Sequence, residues 1–232
     1  EIIASLPEKR SGEERVITPP ENCPACDSKV ARFAGEVAYR CENINCPARL
    51  KESLIFFASR GAMDIDGLGS AVIEQLVNKE MVKRIDDLYR LREEEITALE
   101  RMGPKSAANL IKAINESKSR PLSRLLTALG IRHIGARSAK ILSRHIHDID
   151  DFYKLGVENL TGIPEIGPKM AESIVNFFAE PRNRETIENL KALGVNTRED
   201  AAEAGEQALQ GKTFVLTGTL PSLTRQQASE MI

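Results

Sequence analysis

Four cysteines are the residues of this chain best suited to chemistry. They fall as Cys23-x2-Cys26, fourteen residues, then Cys41-x4-Cys46. Two close pairs separated by a short excursion let each knuckle give two thiolates to one tetrahedral ion, and zinc is the ion that such a set fits. With all four cysteines used and no histidine nearby, the coordination sphere is closed. The expectation is therefore one structural Zn²⁺ on Cys23, Cys26, Cys41 and Cys46, with no catalytic task; the alternative is four free or redox-active thiols. Zinc would stabilise a segment with little core of its own. Lys29, Arg32, Arg40 and Arg49 would offset the negative charge of a Zn–Cys₄ centre and could reach a phosphate.

A second constellation is made of glycines. Gly69, Gly103, Gly135 and Gly167 recur at intervals of 34, 32 and 32 residues, and their flanks fall into register. Four residues before each stand Ile65, Leu99, Ile131 and Ile163; one before, Leu68, Met102, Ile134 and Ile166; four after, Ile73, Ala107, Ala139 and Ala171; seven after, Leu76, Leu110, Leu142 and Ile174. Apolar residues at the origin, +4 and +7 describe one face of a helix that begins just after the glycine, so each unit reads as helix, tight hairpin, helix. A glycine at a helix start admits torsions closed to other residues and lets another backbone come close. Pro104 and Pro168 suit the first helical position. The remaining first-turn amides point outward with the positive end of the helix dipole behind them, a cradle for phosphate. The alternative is a plain helical bundle with glycine as turn punctuation.

Charge bears on that choice. From Arg101 to His147 there are ten basic residues, Arg101, Lys105, Lys112, Lys118, Arg120, Arg124, Arg132, Arg137, Lys140 and Arg144, against the single acid Glu116, although the whole chain has a formal net charge of −2. Such one-sidedness favours a polyanion, held through phosphates without reading of bases. The candidate DNA-binding residues are Gly67, Gly69, Gly103, Lys105, Ser106, Arg132, His133, Gly135, Arg137, Lys140, Gly167 and Lys169. Two residues before the origins stand Gly67, Arg101, His133 and Glu165. Because the fourth puts a carboxylate beside the phosphate site, the first three hairpins are expected to grip DNA and the fourth to be structural.

The elements that must position these groups divide the chain. Its 232 residues, 41% hydrophobic and 4% aromatic, suffice for two or three small domains. No apolar run approaches the roughly 20 residues of a membrane span, and the opening EIIASLPEKR lacks the apolar core of a signal peptide. A cytoplasmic setting is expected, where thiols stay reduced. Residues 1–22 are polar and end near a proline pair; 23–58 hold the cysteines; 59–195 are helix-patterned; 196–210 are polar and read as a linker. In 211–232, GKTFVLTGTL reads as a strand and SLTRQQASEMI as a capped helix.

The strings CPAC, CENINCPARLKESLIFFASRGAMDIDGLG, LERMGPKSAANLI, ALGIRHIGARSA and GKTFVLTGTL closely resemble the C-terminal half of bacterial NAD⁺-dependent DNA ligases. The resemblance implies a mainly α chain. Residues 1–22 would be the end of an OB-fold domain and linker, 23–58 a Cys₄ zinc finger, and 59–195 four helix-hairpin-helix motifs. After the linker, 211–232 would be the truncated start of an α/β BRCT domain, with Thr217 and Gly218 at its first turn. It further implies an enzyme of DNA replication and repair. AMP passes from NAD⁺ to a lysine of a Lys-x-Asp-Gly motif, then to the 5′-phosphate of a nick, and the 3′-hydroxyl displaces it.

That motif is missing here; Asp64-Ile65-Asp66-Gly67 has the wrong first residue. There is also no G-x-G-x-x-G or P-loop. No catalytic or cofactor-binding residue is therefore expected in this segment. Adenylation, NAD⁺ and Mg²⁺ would belong to upstream adenylation and OB-fold domains of the same polypeptide, and the isolated segment would be inactive. The implied partner is nicked double-stranded DNA, bound by a monomer and not at a membrane. Two alternatives stand: a non-catalytic DNA-binding or repair scaffold that joins a zinc ribbon to hairpin repeats, and an interaction module acting through the BRCT piece.

Overall fold

Apolar residues at helical spacing, broken by short glycine-containing turns, produce four helical pairs. In the computed structural model, which describes residues 11–12, 18–32 and 37–199, a two-stranded antiparallel ribbon comes first. Its strands are β1 (Val30–Ala31) and β2 (Arg40–Cys41), with Val30 opposite Cys41 and Ala31 opposite Arg40. The first pair is α1 (Leu50–Ala58) and α2 (Ser70–Asn78); the second is α3 (Glu93–Thr97) and α4 (Pro104–Ser117). The third is α5 (Leu122–Ala128) and α6 (Ala136–His145), and the fourth is α7 (Val157–Thr161) and α8 (Pro168–Ala179). Helix α9 (Pro181–Ala192) follows, and 3₁₀ turns at Ile85–Arg90 and Ile149–Lys154 separate pairs one from two and three from four. No helix among the described residues is long and apolar enough to cross a membrane.

The register read from the glycines is the register of the core. The +4 residues Ile73, Ala107, Ala139 and Ala171 are fully buried, as are the +7 residues Leu76, Leu110, Leu142 and Ile174 within 1%. Burial of each leucine or isoleucine contributes about 1.5–3 kcal/mol.

Two expected boundaries move. Helix α1 belongs to the hairpin domain and not to the zinc module, because Leu54 and Phe57 are fully buried in the common core. Phe57 also meets Tyr89 edge to face at 6.3 Å. The expected linker begins later than 196: Asn196 N–H donates to Lys118 O (2.8 Å), Ile149 N–H to Thr197 O (3.1 Å), and Arg198 pairs with Asp148 (2.7 Å). Four more residues thus lie along the edge of the domain. The expected BRCT strand and helix, and all of the expected OB-fold segment before residue 11, lie outside the described residues.

The zinc module is latched onto α9. Asn183, fully buried, accepts from Ile44 N–H (2.9 Å) and donates from Nδ2 to Glu42 O and Phe177 O (both 3.0 Å). Asn45 donates to Thr186 Oγ1 (2.6 Å) and accepts from Ile85 N–H (2.9 Å), while Arg182 donates to Cys26 O. Beside this latch the carboxylate of Asp86, 1% exposed, is matched by Arg84 (3.0 Å), Arg90 (3.4 Å) and Asn189 (3.0 Å). A buried charge is tolerated only when so surrounded.

Candidate metal centre and nucleic-acid interface

The cysteine knuckles are shaped by backbone turns. Asp27 N–H donates to Cys23 O (2.8 Å) with Asp27 in a left-handed conformation, φ 59°, and Cys46 N–H donates to Asn43 O (3.2 Å). These turns bring the four Sγ atoms within 4.8 Å of one another. Cys23 Sγ lies 3.8 Å from Cys46 Sγ and Cys26 Sγ 3.4 Å from Cys41 Sγ. A tetrahedron with Zn–S bonds of about 2.3 Å has edges of about 3.8 Å, so the donor set fits zinc. No pair among them is a disulfide.

The protonation chemistry points the same way. Burial and the neighbouring sulfurs push the Cys41 thiol up, and burial foremost raises that of Cys46. For Cys26 burial acts in the same direction, but the Asn43 side chain foremost, together with the Ser28 backbone, outweighs it and brings the thiol down to about 6. Four thiolates share so small a space only around a cation. Asn43 and Ser28, which the spacing of the cysteines did not single out, thus support the ligand set.

Each hairpin presents the same backbone. The origin glycines are the N-caps of α2, α4, α6 and α8, with φ/ψ of −80/173°, −85/168°, −99/−176° and −83/168°. Any residue adopts such extended torsions. The expectation that glycine is needed there for special torsions is therefore corrected: the left-handed residue lies two positions earlier, at Gly67 (81°), Arg101 (60°), His133 (62°) and Glu165 (67°). Nor does the protein's own packing demand glycine, since a Cβ at Gly69, Gly103, Gly135 or Gly167 would meet nothing within 4 Å. No side chain caps any of the four helix starts. The first-turn amides thus carry no side-chain cap and lie at the positive end of the helix dipole.

The candidate residues separate into groups. Gly67, Gly69, Gly103, Lys105, Ser106, His133, Gly135, Arg137, Lys140 and Lys169 are exposed at the hairpin ends or on the helices that follow, and Gly167 is half-buried. Arg132 points elsewhere, lining a cleft of about 430 Å³ with Arg40, Glu42, Arg49 and Phe56 between the ribbon, α1 and the end of α5. Burial raises the Glu42 carboxyl there, and Arg49, Arg132 and Arg40 oppose the rise.

The basic block also divides. Arg120 pairs with Asp64 (2.9 Å), Arg124 donates to Ala62 O (2.6 Å) and Arg60 O (2.7 Å), Lys118 lies over the Tyr89 ring (5.9 Å), and Lys112 faces Glu116 (3.7 Å). Arg101, Lys105, Lys140 and Arg144 stand exposed. Part of the positive charge therefore holds the fold together. Arg101, exposed at the second hairpin's left-handed position, joins the candidate residues, although its spacing had not placed it among them.

Comparison with known proteins agrees with this division. The family model of the NAD-dependent DNA ligase C4 zinc finger domain matches residues 22–48, the SAM-like helix-hairpin-helix tandem matches 60–116, and the helix-hairpin-helix motif matches 124–187. The whole chain aligns at 97% identity with a DNA ligase of Syntrophomonas wolfei. The chain belongs to the DNA ligase family. Other DNA ligases that align with all of it come from Pelotomaculum thermopropionicum, at 52% identity, and a Thermoanaerobacter species, at 47%. This ligase chain spans about a third of the curated relatives it matches, 35% of the Syntrophomonas protein and 34% of the Pelotomaculum one.

Proposed function

We propose that the chain is the DNA-gripping part of an NAD⁺-dependent ligase that seals nicks in duplex DNA, and that adenylation is carried out by domains outside it. The observation that carries the reading is the set of four helix starts with uncapped amides, each at a glycine where an added Cβ would meet nothing within 4 Å. Glycine that serves neither torsion nor internal packing serves the approach of something external, and amides at a helix start favour an anion. Exposed Arg101, Lys105, Lys140 and Arg144 add sequence-independent attraction to phosphates. Zinc, held by the four cysteines, would fix the ribbon and through the α9 latch its orientation on the hairpin domain. NAD⁺ and Mg²⁺ act elsewhere in the parent enzyme, and a cytoplasmic monomer suits this work. A non-catalytic scaffold has less support, since the relatives bear the name DNA ligase.

Two measurements test the grip. Duplex affinity, followed by anisotropy, should fall steeply with salt and depend little on sequence. Reversing Lys105 and Lys140 to Glu should cost about 1 kcal/mol or more for each contact and flatten the salt slope by about two; an unchanged slope would remove these lysines from the interface. Gly135→Val should fold as the parent does, because its torsions and surroundings accept a side chain, yet bind duplex roughly tenfold more weakly, about 1.4 kcal/mol. Equal binding would mean that nothing approaches that glycine.

A further inference from the structure

The residue two before each origin glycine has the same left-handed backbone in all four hairpins and is exposed in all four. In the first three it is Gly67, Arg101 or His133, none of them an acid. In the fourth it is Glu165, and its Oε2 lies 2.6 Å from Nη2 of Arg137. Arg137 is the second residue of α6, whose first turn contains no acid. The fourth hairpin thus places a carboxylate against the guanidinium beside the amide cradle of the third. Carboxylate and phosphate both accept the forked N–H donors of a guanidinium, so one can stand in for the other. Both partners are open to solvent, Arg137 at 82% and Glu165 at 54% of side-chain area. Such exposed ion pairs are weak and are exchanged readily for a competing anion.

We propose that Glu165 is an internal phosphate surrogate: it occupies Arg137 in the free protein, orients the guanidinium, and gives it up to a DNA phosphate. This rests on the reading of the hairpins as a DNA grip. Binding then exchanges one anion for another at Arg137, so that contact adds less affinity and less salt dependence than an open arginine would. Once displaced, the carboxylate remains two residues from Gly167 and disfavours a phosphate at the fourth helix start. The fourth hairpin therefore acts on DNA by tuning the third and not as an equal cradle.

The test is anisotropy of a labelled nicked duplex with the metal-loaded chain over a salt series. Glu165→Gln should bind about three- to fivefold more tightly at low salt, with a slope steeper by about one, and lose its advantage at high salt. Glu165→Gly, which suits φ 67° and removes the same charge, should behave alike. In an Arg137→Gln background the Glu165→Gln gain should vanish, and Glu158→Gln, at an exposed acid of α7, should bind like the parent. Unchanged or weaker binding by Glu165→Gln, or a gain that persists without Arg137, would overturn the surrogate while leaving the grip standing. A parent chain that fails to bind duplex would overturn the grip and this inference with it.

Discussion

Chelation at neutral pH is expected to release about one equivalent of zinc per chain and to unfold residues 22–48. The magnitude is large because the described part of this module has almost no core of its own: Ile44, Cys23 and Cys46 are its buried hydrophobic residues, and its ribbon has two residues per strand. Structural zinc sites of this donor type contribute on the order of 10 kcal/mol at pH 7 as folding free energy. Without the ion, crowded thiols whose protonation is favoured by burial at Cys41 and Cys46 replace the ion–thiolate cluster. Metal release with a thiol-reactive chromophore, together with amide exchange across 22–48, reads both halves of the result. Helices α2, α4, α6 and α8 should stay protected, since Ile44 is the one described residue of the knuckles that their core includes. Retained protection in the ribbon after the metal is gone would show that the ion is not what holds it.

Asn183→Ala is expected to be strongly destabilising although it removes no apolar side chain. It removes one acceptor and two donor bonds at a fully buried position, leaving Ile44 N–H and the Glu42 and Phe177 carbonyls without that partner. A buried polar group left unmatched costs about 1–3 kcal/mol, so a total near 3 kcal/mol is expected, or about 6–12 °C in melting temperature. Asn183→Asp keeps the shape but turns an acceptor toward the Glu42 and Phe177 carbonyls at a fully buried position, so at neutral pH it should cost at least as much as Asn183→Ala. Thermal melting of the zinc-loaded chain measures the cost. If Asn183→Ala melted within a degree or two of the parent, the latch between ribbon and α9 would not be a source of stability.

The hairpins were legible because their signal is local. A helix that packs on one face repeats apolar residues at 3.6-residue spacing, and Gly followed by Pro marks a helix start at 103–104 and 167–168; both lie within a dozen residues. The cysteine pairs were legible for the same reason. Charge was only half legible. A count of basic residues from Arg101 to His147 treats Arg120 and Arg124 as equal to Lys105, yet the first two are spent on Asp64 and on the carbonyls of residues 60 and 62, over fifty residues earlier. The reading of the origin glycines was also half right: the position was found, but the torsion assigned to it belongs to the residue two places before.

Sequence alone therefore determined the repeat, its register, the four-cysteine set and the family likeness, because spacing along a helix or within a knuckle is enforced by covalent geometry. The tertiary fold decided which cations face outward, that α1 joins the hairpins, that Asn183 reaches the ribbon from 139 residues away to Ile44, and that Glu165 meets Arg137. Those pairings arise from how helices pack in three dimensions, and packing leaves no periodic trace at either partner's place in the chain.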